Sequence, residues 1–350
     1  MVYQGGGAPG AGASTCGDAL PRAALPSAGG AGVLGAGETD ASGRCGIIPA
    51  MAEAPAGRPE MAELLSLLRR VAKDGEVLVA ISNYTPVLNG MLVTWVESVK
   101  RAGVENYVIV AIDDNVQAWC RDKGHNCWHR TTRPPKAQDN TGDNHAISAA
   151  KFLILSDFLE AGVAVLLSDV DVLTVSNPFE RLYRDHDVEG MTDGFDERWA
   201  YGMIDGFDDP TMGWARFAQI YKRFAMNSGL FYLRPTRPAL ALMRRCADRL
   251  EREKYWDQTV YNEEMFFMSH GDYRSPQVTV RVMGIDDFMN SKRLFKTVRY
   301  LPRADQPVPA MVHMNYHPDK HERMKAAARY YFDGDASELM RFPGGSEPGS

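Results

Sequence analysis

Three unbroken apolar stretches, residues 77–81, 107–112 and 163–167, constrain the fold of this chain more than any other feature. Each reads as a strand that is apolar on both faces, and such strands need helices covering the sheet on either side. Residues 61–71 supply one helix, with Leu64, Leu65, Leu67, Leu68 and Val71 on a single face, closing at Lys73, Asp74 and Gly75. Residues 89–102 supply a second, with Met91, Leu92, Trp95, Val96 and Val99 inward, and residues 146–160 a third. This alternation predicts an α/β fold with a mostly parallel sheet flanked by helices. Ligands of such sheets sit beyond the carboxyl ends of the strands. All three strands end there in polar residues: Ser82, Asn83 and Tyr84; Asp113 and Asp114; Ser168, Asp169 and Asp171. Farther along, a strand within 223–233 is reached through Asn227, Ser228 and Gly229. Helices are expected over 238–254 and 256–267, and a last short strand at 311–313. No repeat or linker interrupts residues 61–335, which predicts a single domain over 61–340.

The two ends differ from this middle. Gly, Ala and Pro fill 34 of the first 60 positions, with no helical or strand period, and so little apolar surface predicts a disordered segment over 1–60. No run there has the ~20 mostly apolar residues of a spanning helix, and the pattern of a secretory signal is absent. Residues 341–350 read as a frayed tail. The net charge of −6 argues against a protein that coats nucleic acid or an anionic membrane. Five cysteines in 350 residues are not a disulfide framework. Cys120, His125, Cys127 and His129 gather four possible zinc ligands, but their spacing matches no closed structural site. A Cys120–Cys127 disulfide and plain loop residues are the other options.

Asp169 and Asp171 lie two apart on an extended segment, so both carboxylates leave the same side of the chain. Two such charges repel unless a cation lies between them or one keeps its proton. Mn²⁺ and Mg²⁺ favour a few carboxylates together with phosphate oxygens and water. Two reaction classes use the pair. One is glycosyl transfer, in which a metal neutralises a departing nucleoside diphosphate. The other is aspartyl-phosphate chemistry, with Asp169 as nucleophile, Asp171 as acid/base and Asp286 and Asp287 as a downstream acidic pair. Against the second, Thr174 falls one place late, and Asp169 follows two complete strand–helix units. A solvated acidic loop is the remaining option.

An ordered series of motifs extends from this pair. It comprises Ser168-Asp169-Val170-Asp171, Asn177-Pro178-Phe179, Met212-Gly213-Trp214-Ala215-Arg216, Asn227-Ser228-Gly229 and the Phe231 to Thr236 segment. Trp256-Asp257-Gln258, Phe288 to Lys292, Leu294 to Arg299 and His313 to Lys320 complete it. Together they resemble the nucleotide-diphospho-sugar transferase domain of plant and green-algal arabinosyltransferases of the reduced-residual-arabinose type, over about residues 75–335. The resemblance implies a GT-A fold, a UDP-sugar donor (UDP-L-arabinofuranose), Mn²⁺ or Mg²⁺, and retention at the anomeric carbon. It also implies an arabinosylated, hydroxyproline-rich glycoprotein acceptor and a place in the Golgi lumen. A non-catalytic sugar-nucleotide binder is the other class to weigh.

Carried onto this chain, the resemblance makes Asp169, Asp171 and His313 the metal ligands, with Asp171 touching the ion directly, Asp169 contacting the ribose or the ion, and His317 as the alternative imidazole. Ser82, Asn83 and Tyr84 would line the uridine. Lys320 would meet the β-phosphate, and Lys151 a phosphate or the donor sugar. Asp257, Gln258 and Asn227 form the expected catalytic pocket, in which Asp257 stabilises a cationic sugar, orients the acceptor or, alternatively, is the nucleophile. Asp257 could instead cap its helix, and Glu263 and Glu264 are rival carboxylates. Trp214, Trp256 and Tyr316 are candidates for an acceptor platform.

Overall fold

The computed structural model describes residues 46–133, 135–138, 143–201, 203–204, 221–222, 225–266 and 278–344. The helix α1 (Pro59–Val71) opens with proline at its first position and closes with Arg69 and Arg70 in its last turn, both favourable placements. It leads into β1 (Glu76–Ser82), α2 (Met91–Arg101), β2 (Tyr107–Ala111), α3 (Asp114–Lys123) and β3 (Cys127–His129). After α4 (Asp143–Glu160), the strands β4 (Ala164–Ser168), β5 (Val172–Thr174), β6 (Val188–Thr192) and β7 (Met226–Leu233) follow. The helices α5 (Arg237–Arg252) and α6 (Asp257–Phe266) precede β8 (Val280–Val282), β9 (Phe288–Asn290), α7 (Ser291–Lys296), β10 (Met311–His313) and α8 (Lys320–Ala328).

The main sheet has seven strands in the order β8-β6-β7-β4-β1-β2-β3. Its neighbours are parallel except around β7, which runs antiparallel to both β4 and β6. Successive β1 side chains enter opposite layers. Leu78 and Ala80 pack with Trp95, Val96 and Val99 of α2, while Val77 and Val79 pack with Leu64 and Leu68 of α1 and Phe158 of α4. That double burial is why these strands carry no polar alternation. The chain moves outward from β1 to β2 and β3, then returns to place β4 on the other side of β1. The resulting crevice lies at the carboxyl ends of β1 and β4, where a ligand site is expected. A second, three-stranded sheet, β9-β10-β5, packs beside it and carries His313 to the same end.

The expected α/β architecture is met, and most boundaries fall within a few residues of those read from the sequence. The helix expected at 89–102 is shortened by Gly90, which sits at φ 81°, so that α2 starts at Met91. The short strands β3, β5, β6, β8 and β9 are additions. Residues 1–45 lie outside the described residues; residues 46–60, also expected to be disordered, are ordered. The Ile48 amide donates to the Pro235 carbonyl (2.7 Å) and the Met51 amide to the Ala161 carbonyl (3.0 Å). Gly162 makes room for this segment, since a Cβ there would stand 2.4 Å from the Pro49 carbonyl oxygen. The frayed tail expected over 341–350 is described only to residue 344; Arg299 binds the carbonyls of Leu339 and Phe342. Among the described residues no helix is long and apolar enough to cross a membrane.

Candidate active site

A cleft of about 340 Å³ opens at the carboxyl end of the main sheet, lined by Asp169, Lys151, Asp193, Asn227, Asp257, Gln258, His313, Lys320 and their neighbours. One wall belongs to the loop after β4. The Asp169 amide donates to the Gly229 carbonyl (2.7 Å), and the Met314 amide donates to the Asp171 carbonyl (2.9 Å). The carboxylate pair is thus pinned between β7 and β10. Beneath it, the Trp95 indole donates to the Ser168 hydroxyl (3.0 Å), fixing the end of β4 to α2.

Asp169, Asp171 and His313 each present a ligand atom within 4.8 Å of the others, and they form the metal-competent group found among the described residues. Donor atoms this close can be drawn onto one octahedral ion by small side-chain adjustments. His313 Nδ1 is buried without a hydrogen-bond partner, while its Nε2 faces Asp171 Oδ1 at 3.1 Å. Gly229 shapes the cradle, because a Cβ there would meet Asp169 Oδ2 at 2.4 Å and His313 Cε1 at 2.8 Å. Burial would raise Asp171, but His313 and Lys320, whose Nζ donates to Asp171 Oδ2 at 2.7 Å, hold its carboxyl well below the usual range. Burial pushes Asp169 up; Lys151 offsets part of this and the Asp171 charge adds to it. Strain between neighbouring carboxylates of this kind is what a divalent ion relieves. The donor set therefore fits Mn²⁺ or Mg²⁺.

The opposite wall is organised differently. Lys151 on α4 is buried, with its Nζ 2.9 Å from Asp257 Oδ2 and donating to the Ser228 carbonyl (2.7 Å). The Ser228 hydroxyl also donates to Asp257 Oδ2 (2.8 Å). Burial alone would lower Lys151, but Asp257 and Asp169 outweigh it and its pKa is raised. Burial alone would raise Asp257, but Lys151 and Ser228 reverse that and it is lowered. Lys151 was expected to reach donor phosphate or sugar; in the structure it is the counter-ion of Asp257. Asn227 and Gln258 do line the cleft, and both donate to Asp193 (2.8 and 2.6 Å). Asp193 also accepts from Asn315 (3.2 Å), and its carbonyl accepts from the Tyr316 hydroxyl (2.8 Å). The sequence analysis missed Asp193 because the strand before it, β6, was not recognised. Its signal is a polar Asp-Gly step directly after a short strand.

The remaining expectations divide. Ser82 is buried and donates to the Asn83 carbonyl, so its hydroxyl is already engaged; Tyr84 is half-buried, its amide held by Asp113 Oδ2 (2.8 Å). Trp256 borders the cleft at 57% exposure, and the Tyr316 ring carries the Lys292 ammonium 4.1 Å from its centroid. Trp214 lies outside the described residues. His317 is buried edge-on against Phe295 and is not part of the metal group. Glu263 and Glu264 turn to the α5 arginines Arg249 and Arg245 rather than into the cleft. Cys120 and Cys127 are free thiols, and the Cys120–His129 run forms no ion-competent group among the described residues. Asp286 pairs with Arg293 and Asp287 with Arg181, so neither completes a phosphatase-like site with Asp169.

The sequence profile of the nucleotide-diphospho-sugar transferase family matches residues 102–326, from the end of α2 into α8. The chain belongs to this family. Arabinosyltransferase RRA2 of Arabidopsis thaliana is 46% identical over 287 residues, covering 81% of this chain and 66% of the relative. Arabinosyltransferase RRA1 of the same plant is 41% identical over 301 residues, covering 85% and 73%. The chain thus spans about two thirds to three quarters of the length of these two relatives. A third Arabidopsis protein, UDP-D-xylose:L-fucose alpha-1,3-D-xylosyltransferase MGP4, is 26% identical over 257 residues, covering 70% of this chain and 66% of its own. The resemblance drawn from the motifs and the expected transferase class are both met. So is the single-domain, GT-A-type arrangement of a mostly parallel sheet between helices.

Proposed function

We propose that this protein is a metal-dependent retaining glycosyltransferase that moves L-arabinofuranose from UDP-L-arabinofuranose to an arabinosylated, hydroxyproline-rich glycoprotein in the Golgi lumen. The observation that carries it is the Asp169–Asp171–His313 group at the carboxyl end of β4, in a chain 46% identical to an arabinosyltransferase. These three residues would hold Mn²⁺ or Mg²⁺, which supplies positive charge against the diphosphate of the donor. Lys320 adds a second, mobile positive charge: its side chain is 42% exposed, so it can leave Asp171 for the β-phosphate as UDP departs. Tyr84 and Asn83, just beyond the carboxyl end of β1, would bound the uridine. Lys151 and Ser228 fix Asp257 as an ionised, immobile floor beneath the donor sugar. Trp256 and Tyr316 offer aromatic faces on which acceptor sugar rings pack.

The test is UDP release by the full chain with Mn²⁺ across a panel of UDP-sugars that includes UDP-xylose, with and without an arabinosylated hydroxyproline peptide. The expected result is turnover confined to UDP-L-arabinofuranose, requiring metal and falling by at least ~10³-fold in Asp171→Ala. Turnover of UDP-xylose in its place overturns the donor assignment. UDP binding without turnover of any donor favours the sugar-nucleotide binder.

A further inference from the structure

Asp193 is a carboxyl group that the cleft orients through amides rather than through a cation. It follows β6 directly, and its amide donates to the Ala225 carbonyl (2.9 Å). Its Oδ1 accepts from Asn227 Nδ2 and Asn315 Nδ2, and its Oδ2 accepts from Gln258 Nε2. Each of these amides is locked in orientation by what its own oxygen accepts. Asn227 Oδ1 takes the Gly229 amide (2.8 Å), and Gln258 Oε1 the Ser228 amide (3.2 Å). Asn315 Oδ1 takes the Ser291 amide (3.4 Å) and hydroxyl (3.3 Å). The three NH₂ ends therefore point at Asp193, whose two carboxyl oxygens accept all of them. The other carboxylates differ. Asp171 has Lys320, and Asp257 has Lys151. Among the described residues, the hydrogen bonds onto the Asp193 carboxylate all come from neutral amides.

We propose that Asp193 is the catalytic carboxylate of the sugar wall, facing the anomeric carbon of the donor and stabilising the positive charge that develops there. The assignment rests on the transferase activity proposed above, and it moves the electrostatic role expected of Asp257 to its neighbour. Asp257 is fully engaged by Lys151 and Ser228 and only 5% exposed, whereas Asp193 is half-buried and opens into the cleft. Amide dipoles hold a charge in place without cancelling it, so no reorganisation is needed as the sugar becomes cationic. In the step itself the bond from C1 to the β-phosphate oxygen breaks, and its electron pair leaves with UDP. The acceptor oxygen forms the new bond to C1 from the same face, and its proton passes to the departing phosphate oxygen. Asp193 gains no proton and forms no bond.

The experiment compares wild type with the isosteric Asp193→Asn, using whichever UDP-sugar the panel shows to be the donor. An error in the sugar thus fails separately from an error in the residue. The expected result is a loss in kcat on the order of 10²–10³-fold, with the donor KM and the Mn²⁺-dependent affinity for UDP nearly unchanged. A kcat within about fivefold of wild type would overturn the proposal. So would a loss matched by an equal loss of UDP affinity, the mark of a packing role. Should Asp193→Asn fold poorly, Asp193→Ala with added formate decides the matter. Recovery with formate but not with neutral formamide supports a charge at that point. Equal recovery with both, or none, overturns it.

Discussion

The two walls of the cleft solve the same electrostatic problem in opposite ways. On the proposed phosphate wall, Asp171 is matched by Lys320, which is 42% exposed and can move, and by the buried His313, which keeps one ring nitrogen without a hydrogen-bond partner. On the sugar wall, charge is settled within the protein. Lys151, at 4% side-chain exposure, is locked to Asp257, and three oriented amides hold Asp193. On the function proposed above, the first wall is left adjustable for a ligand that brings its own charges, and the second is prearranged for a charge that exists only during reaction.

The sharpest way to break this contrast is to remove the same cation from each wall. Lys151→Met leaves Asp257 buried without its partner and should lower unfolding free energy by about 3–5 kcal/mol in denaturant titrations. Lys320→Met removes a part-exposed pair and should cost about 1 kcal/mol or less. Much of the Lys151 loss should return in Lys151→Met/Asp257→Asn, because the stranded charge is then gone. Equal costs at the two lysines would mean that the walls are not different in kind. Next in size, Gly229→Ala sets a methyl group against Asp169 and His313 and should weaken Mn²⁺ binding in the presence of UDP about 10–100-fold by calorimetry. Unchanged affinity would show that the backbone of β7 does not shape the metal cradle.

The smallest effect tests whether either wall is coupled to the far edge of the sheet. Burial, with Lys100 and Lys123 nearby, lowers His125 to about 4 from 6.5. The unfolded chain therefore takes up this proton first as the pH falls, and stability declines between pH 6.5 and 4. His125→Gln should flatten that limb by about 1 kcal/mol, partial solvent exposure being allowed for, and leave metal affinity unaltered. A change in metal affinity would tie the phosphate wall to the β3 edge.

Long uniform patterns made the core of the fold legible. Strands apolar on both faces and helices with a single apolar stripe leave few alternatives, which is why β1, β2, β4 and α1 were placed before any geometry was known. The metal group was readable because Asp169 and Asp171 share a strand end and His313 closes an isolated apolar triplet. The sugar wall was read only in part. Asp257, Gln258 and Asn227 do line the cleft, but nothing local distinguishes a lysine that will be buried against an aspartate 106 positions later. Asp193 depends on a five-residue strand whose partner β7 is reached only through residues 205–220, so its position in the cleft is a product of tertiary pairing alone. Residues 46–58 were misjudged for a related reason. Their composition is that of a loose chain, and what holds them is backbone hydrogen bonding and a gap left by Gly162, neither of which has a compositional signature.

That docked segment also orients the molecule. Ile48 and Met51 are tied to Pro235 and Ala161, both at the end of the sheet opposite the cleft. A bead, a sensor chip or any other support joined through the chain upstream of residue 46 would meet the protein at its closed pole. The mouth of the cleft would then look outward.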